Sequence, residues 1–194
     1  MSGEMPRVAL RELLAGGDRR SVGRVPEVVR ILRARPRRVA ELVTLLGDRD
    51  PVVRMRAADA LEKASATRPE LLRAHRRTLL ALARRATQQE LRWHLAQMVP
   101  RLPLGVQQRR RAIALFSTYL ADHSAIVRTC AMQALADLAV GDARLLPGVL
   151  RQLRRLRATG TPAMRARGRR LVVALEAESQ RPKLCLQRPG ARKP

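Results

Sequence analysis

Arginine is the side chain through which this protein can do most of its chemistry. Forty basic residues face sixteen acidic ones, for a net charge of +24, and lysine occurs only at Lys63, Lys183 and Lys193. A guanidinium offers five N–H donors in a planar fork, stays protonated, and grips carboxylates, phosphates and backbone carbonyls alike. Four of these forks recur at nearly fixed spacing. Arg54, Arg92, Arg128 and Arg165 lie 38, 36 and 37 residues apart. Each follows an apolar residue, and mostly small or apolar residues come three, four, six and seven positions later. A column of this kind can bind phosphate or can bridge turn carboxylates and carbonyls between successive structural units. The second reading fits better, because the spacing matches a repeating supersecondary unit.

The densest basic region runs from Arg144 to Arg170, with nine arginines and no carboxylate between Asp142 and Glu176. Arg151, Arg154 and Arg155 fall in one expected helix, and Arg167 and Arg170 in the next. Nothing nearby in sequence neutralises them, and like charges one helical turn apart repel. Two further stretches are Arg19 to Arg38 and Arg109 to Arg111. Arginine in excess of lysine follows from a GC-rich coding sequence; a base-to-acid ratio above two does not. A charge this large recruits polyanions.

Other chemistry is sparse. Trp93 is the single tryptophan; it projects away from the packed face set by Leu91, Leu95 and Met98, and can anchor a partner or stack on a base, although filling a seam between units is the commoner use. His75, His94 and His123 fall on different elements without metal-ligand spacing and a supporting carboxylate, so no metal and no cofactor is expected and all three read as surface histidines. Cys130 and Cys185 fit neither a disulfide framework nor a CxxC metal pattern. There is no nucleophile elbow, phosphate-binding loop or dinucleotide fingerprint, and the chain reads as a non-enzyme. Met1 to Leu10 lacks a signal-peptide core and no apolar run is long enough to span a membrane, so a cytoplasmic location is expected.

The elements that must position these groups are helical. Aromatic residues make up 2% of the chain, and Leu, Ala, Val and Arg dominate, a composition that favours helix over sheet. Pro, Gly and Asp divide the chain into about ten helices, near 5–15, 22–34, 37–47, 51–66, 69–86, 88–101, 105–121, 124–139, 144–158 and 162–178. Pro51, Pro69 and Pro162 sit in first turns, where a missing N–H costs nothing. Asp50, Ser124 and Thr161 are expected N-caps; Arg68 is a poor one, which leaves Thr67 or water to cap the helix at Pro69. In the helix after Pro51, Val53, Ala57, Ala60, Leu61 and Ala64 share one face. Short loops make consecutive helices antiparallel neighbours.

The segment from Leu45 to Arg54 with Ala57, Ala58, Ala60 and Leu61, and that from Tyr119 to Arg128 with Ala131, Ala134 and Leu135, resemble HEAT repeats. In that family an Asp in the inter-helix turn and an Arg six residues later form a ladder between units; Asp48 with Arg54 and Asp122 with Arg128 match. Ala86 and Thr159 stand at the Asp position in the other two units, so the ladder is incomplete there. The resemblance implies an all-α, right-handed α-solenoid of about five antiparallel helix pairs (near 5–34, 37–66, 69–101, 105–139 and 144–178) in a single domain over 1–180, followed by a disordered basic tail at 181–194. Second helices would line a concave surface of Arg56, Asp59, Lys63, His94, Gln97, Arg101, Cys130, Gln133, Asp137, Arg167 and Arg170.

The function expected is a non-catalytic scaffold that holds an anionic partner, protein or nucleic acid, on this basic concave surface. Its contacts would be Arg56, Lys63, Trp93, His94, Arg101, Arg151, Arg154, Arg155, Arg167 and Arg170. A protein–protein adaptor with no nucleic-acid role is an alternative. A HEAT-like DNA glycosylase, with Trp93 and either Asp59 or Asp137 in the groove, is a further one.

Overall fold

The computed structural model describes residues 9–18 and 20–180. All regular structure among them is helical. Ten α-helices follow in order: α1 (Leu10–Leu14), α2 (Val25–Ala34), α3 (Val39–Leu45), α4 (Pro51–Thr67), α5 (Arg76–Arg85), α6 (Gln89–Met98), α7 (Val106–Tyr119), α8 (Ala125–Ala139), α9 (Leu146–Thr159) and α10 (Pro162–Gln180). The expected tail at 181–194 and the first residues of the helix expected at 5–15 lie outside the described residues.

Helix starts follow local chemistry. The Asp50 carboxylate accepts the Val52 N–H at 2.8 Å, and the Ser124 hydroxyl accepts that of Val127. Thr161 does the same for Met164. Pro51 and Pro162 open α4 and α10. Three expected helices are shorter than the pattern implied. Two of them begin in 3-10 helix, one turn at Pro36–Arg38 and a longer stretch at Pro69–His75, where no side chain caps the chain. A third ends in a 3-10 turn, Val99–Arg101, because Pro100 brings no N–H to continue α6. Thr67 is the last residue of α4 and does not cap the segment that starts at Pro69.

Each odd-numbered helix packs on the even-numbered helix that follows it, and the even-numbered helices pack in series, α2 on α4, α4 on α6, α6 on α8 and α8 on α10. Val53, Ala57, Ala60, Leu61 and Ala64 of α4 are all buried, as are Leu91, Leu95 and Met98 of α6. One continuous apolar core runs from Leu10 to Leu175. Small residues set the spacing: at Gly168 a Cβ would stand 3.2 Å from Cα of Arg157, so α9 and α10 meet nearly backbone to backbone. Phe116 and Tyr119 pack edge to face beneath α7, and the Tyr119 hydroxyl donates to the Ala83 carbonyl.

Of the four arginines at the repeat spacing, Arg54 and Arg92 fasten one helix pair to the next; Arg128 bonds within its own turn, and Arg165, expected to bridge as well, is exposed on α10. Arg54 donates to the carbonyls of Asp48 and Arg49 in its own turn and, through Nε, to Gln88 Oε1 of the following turn. Arg92 reaches the Asp122 carboxylate, again one turn onward, and lies 4.0 Å over the Tyr119 ring. Arg128 holds the Asp122 and His123 carbonyls. The Asp48 carboxylate takes Arg11 from the preceding pair; that bond, then the Asp50 N–H, hold its pKa below the usual range. Where Ala86 leaves a unit without its turn acid, Gln88 two residues on accepts the bond instead.

Candidate functional site

The surface carried by α4, α6, α8 and α10 differs from the basic surface expected from the sequence. All of the cations expected there except Arg170 have acceptors. Lys63 Nζ lies 2.7 Å from Asp59 Oδ2, one turn back on α4. Arg101, after α6, grips the Glu62 carboxylate and carbonyl and the Ser65 hydroxyl. Arg167 of α10 donates to Gln133 Oε1 of α8, whose amide nitrogen in turn donates to Asp137. Glu62 and Glu90, two carboxylates left out of the expected concave set, balance the charge. The groove is therefore a mixed ion network.

Arg56 departs furthest from expectation. It was expected on the groove surface, yet it is buried, with 2% of its surface exposed. Its guanidinium donates to the carbonyls of Leu14 (2.9 Å), Gly16 (2.6 Å), Asp18 (3.1 Å) and Ser21 (3.0 Å) in the loop between α1 and α2. That loop turns through Gly16, Gly17 and Gly23, all at positive φ, and so aims its carbonyls inward. A Cβ at Gly23 would sit 2.9 Å from Arg56 Cζ. Gly23→Ala is expected to cost about 1–3 kcal/mol, from left-handed backbone strain and displacement of the fork; chemical denaturation checks it.

His94 is the second departure. It is buried, with 8% of its surface exposed, and its Nδ1 has no hydrogen-bond partner. Burial pushes its pKa down, against the pull of Asp59, Glu62 and Glu90. Ligand atoms of Asp59, Glu62 and His94 lie within 4.8 Å of one another. The sequence did not suggest this group, because the imidazole comes from α6 and the carboxylates from α4, more than thirty residues upstream. It borders a hollow of about 290 Å³ whose lining includes Arg20, Ser21, Met55, Lys63, Glu90 and Trp93. Trp93 is half-buried against the core, its ring centroid 5.6 Å from that of His94; it is less free than its position on the helix suggested. Cys130 is half-buried as well, and burial raises its thiol pKa.

The arginines without carboxylate partners lie elsewhere. On α9 and α10, Arg154 pairs with Glu176, whereas Arg151, Arg155, Arg157, Arg165, Arg169 and Arg170 are exposed, and no ion pair forms at any of the six among the described residues. A second cluster rims a hollow of about 280 Å³ between α5 and α7: Arg77, Arg84 and Arg111 surround a floor of Leu80, Ala81, Ala112 and Leu115.

Fold and site together define an all-helical protein of sequentially packed helix pairs, with ion pairs on and between α4 and α6 and, among the described residues, exposed arginines on α9 and α10 that have no carboxylate partner. No helix among the described residues is long and apolar enough to cross a membrane. No protein-family model matches the chain, and none of the curated proteins does. Among solved structures it is similar to the crystal structure of an engineered protein, with a TM-score of 0.60 and 19% identity over 87% of this chain and 78% of that one. At that identity the likeness bears on the fold alone.

Proposed function

We propose that the chain is a HEAT-like, right-handed α-solenoid of five helix pairs, and that it works as a non-catalytic scaffold for an anionic partner. Support for the architecture comes from the serial packing of the even-numbered helices and from the arginine bonds that link successive turns. The observation that carries the binding role is the set of exposed arginines on α9 and α10. Six guanidiniums share α9 and α10 without a carboxylate to any of them among the described residues. Such a field attracts polyphosphate backbones or acidic protein surfaces by charge and shape. Partner contact is assigned here to Arg151, Arg155 and Arg170, and away from the inner groove, whose own acids already balance Lys63, Arg101 and Arg167.

The test is a retardation assay with duplex DNA across a salt series, with an acidic protein as the parallel probe. Engagement of about six phosphates would weaken duplex binding roughly a thousandfold between about 50 and 200 mM salt. Combined Arg151→Glu, Arg155→Glu and Arg170→Glu should abolish binding, while Lys63→Glu should leave it nearly intact. Salt-insensitive binding, or binding that survives the triple reversal, defeats the assignment. Binding of the acidic protein without duplex makes the molecule a protein adaptor. The rim of Arg77, Arg84 and Arg111 over an apolar floor favours that second reading, since an acidic peptide with an apolar anchor matches both features.

A further inference from the structure

We infer that Asp59, Glu62 and His94 form a binding site for a divalent first-row transition-metal ion of the Zn²⁺ type. The convergence of two carboxylates would not suffice, because Lys63 and Arg101 already balance them. His94 supplies the independent observation. It is more than nine-tenths buried, it stands among these carboxylates, and its Nδ1 has no partner. Native folds seldom leave a buried polar atom unpaired, and those that remain call for an explanation. A cation drawn in by the imidazole and the two carboxylates would turn this costly burial into a coordination shell.

The surrounding residues suit such an ion. One nitrogen and two oxygens form a borderline donor set, fit for Zn²⁺, Co²⁺ or Mn²⁺ rather than for Mg²⁺ or Ca²⁺, which favour oxygen alone. Lys63 is half-exposed, so its ammonium can leave Asp59 for water when the ion arrives. Arg101 holds Glu62 through one carboxylate oxygen and also bonds the Glu62 carbonyl and Ser65. That leaves the other oxygen for the metal and fixes the carboxylate's orientation, as outer-shell partners do. Both carboxylates come from α4, one turn apart, and the imidazole from α6 across the seam. A bound ion would thus cross-link two successive helix pairs. The neighbouring hollow, bordered by Ser21, Met55 and Trp93, gives it a route in and room for water on its open side.

Lys63 makes the idea sharply testable. If the carboxylates serve only the ion pairs seen here, removing Lys63 has no reason to create affinity for a cation. If they are ligands, Lys63 competes with the metal, and its removal must tighten binding. The full chain, freed of metal by chelation, would be titrated calorimetrically with ZnCl₂, and with CoCl₂ while visible absorption is followed. The wild type should bind one equivalent, with a cobalt band characteristic of nitrogen and oxygen ligands. Affinity should fall at least about tenfold in Asp59→Asn and in His94→Ala, and rise about tenfold in Lys63→Met. Circular dichroism establishes that each variant keeps its helices; if His94→Ala does not fold, Asp59→Asn and Lys63→Met decide between them, since both positions border solvent. Absence of stoichiometric binding overturns the site. Zinc binding unchanged by Asp59→Asn, or a Lys63→Met variant no tighter than wild type, overturns it equally.

Discussion

Arg56→Met should lose about 3–5 kcal/mol of stability, the range expected when a buried, fully bonded charge is removed and its partners are stranded. In a chain of this size that corresponds to a fall of roughly 6–20 °C in Tm. The cause is the inward-facing loop. Four carbonyls of residues 14–21 converge on one guanidinium, and of these that of Asp18 also accepts the Ser21 N–H, at 3.3 Å. Methionine replaces the aliphatic stem of the side chain but donates nothing. Arg56→Lys keeps the charge, yet an ammonium cannot reach carbonyls spread across both edges of a planar fork, so it should recover less than about half of the loss. Hydrogen exchange should show the effect concentrated in α1, α2 and α4, with α8 to α10 little changed. A loss below about 1 kcal/mol by thermal and denaturant unfolding would mean that the loop carbonyls find water instead.

Asp122→Ala comes next in size, at about 2–3 kcal/mol. The Asp122 carboxylate accepts from Arg92 and from the Ser124 N–H at 2.7 Å, and it is 8% exposed while Arg92 is 23% exposed. Removal leaves the guanidinium over the Tyr119 ring without its counter-charge and unties the turn that leads into α8. The figure stands below that for a fully buried pair because Arg92 keeps some contact with water. Gln88→Ala, which removes the equivalent neutral acceptor of Arg54, should cost only about 1 kcal/mol. A double-mutant cycle between positions 92 and 122 isolates the pairwise part. A coupling indistinguishable from zero would reduce the bridge to a surface contact.

The contrast between Arg54 and Arg56 shows what the sequence made legible. Arg54 belongs to a spaced column, and two of its acceptors are five or six residues away in the same turn, so repetition pointed to that part of its role, though not to Gln88. Arg56 is two residues further along the same helix, and its acceptors lie 35 to 42 residues upstream. No local pattern tells whether such a side chain meets solvent or carbonyls; the glycines at 16, 17 and 23 were the available hint that the loop bends inward. Caps were legible for the reason Arg54 was. Asp50, Ser124 and Thr161 act on amides two or three residues away. The hairpin layout followed from proline and loop punctuation, and the apolar faces of α4 and α6 from their periodicity.

The inner face was misjudged for a related reason. Arg101, Lys63 and Arg167 read as a basic stripe when counted along the chain. In space Glu62 and Asp59 meet the first two, and Gln133 meets the third. Arg101 and Arg167 are met from another helix, which a linear count cannot see, whereas Asp59 stands one turn from Lys63 on α4. His94 with Asp59 and Glu62 was hidden likewise, since the ligand atoms meet only across the α4–α6 seam.

Guanidinium keeps its proton at any pH a protein meets, and this shapes how the links between helix pairs respond to their surroundings. Alkali, which discharges lysine, has no proton to take from Arg54, Arg56, Arg92 or Arg101, so these links do not weaken by titration on the basic side. Acid acts where the acceptor is a carboxylate, as at Asp48, whose bond to Arg11 holds its pKa below the usual range. Where the acceptor is a carbonyl or an amide, as for Arg56 on its loop, Arg54 on Gln88 and Arg167 on Gln133, there is nothing to protonate. Acidification through the lowered pKa of Asp48 should therefore release Arg11 and loosen the link between the first two helix pairs, while the carbonyl and amide links hold.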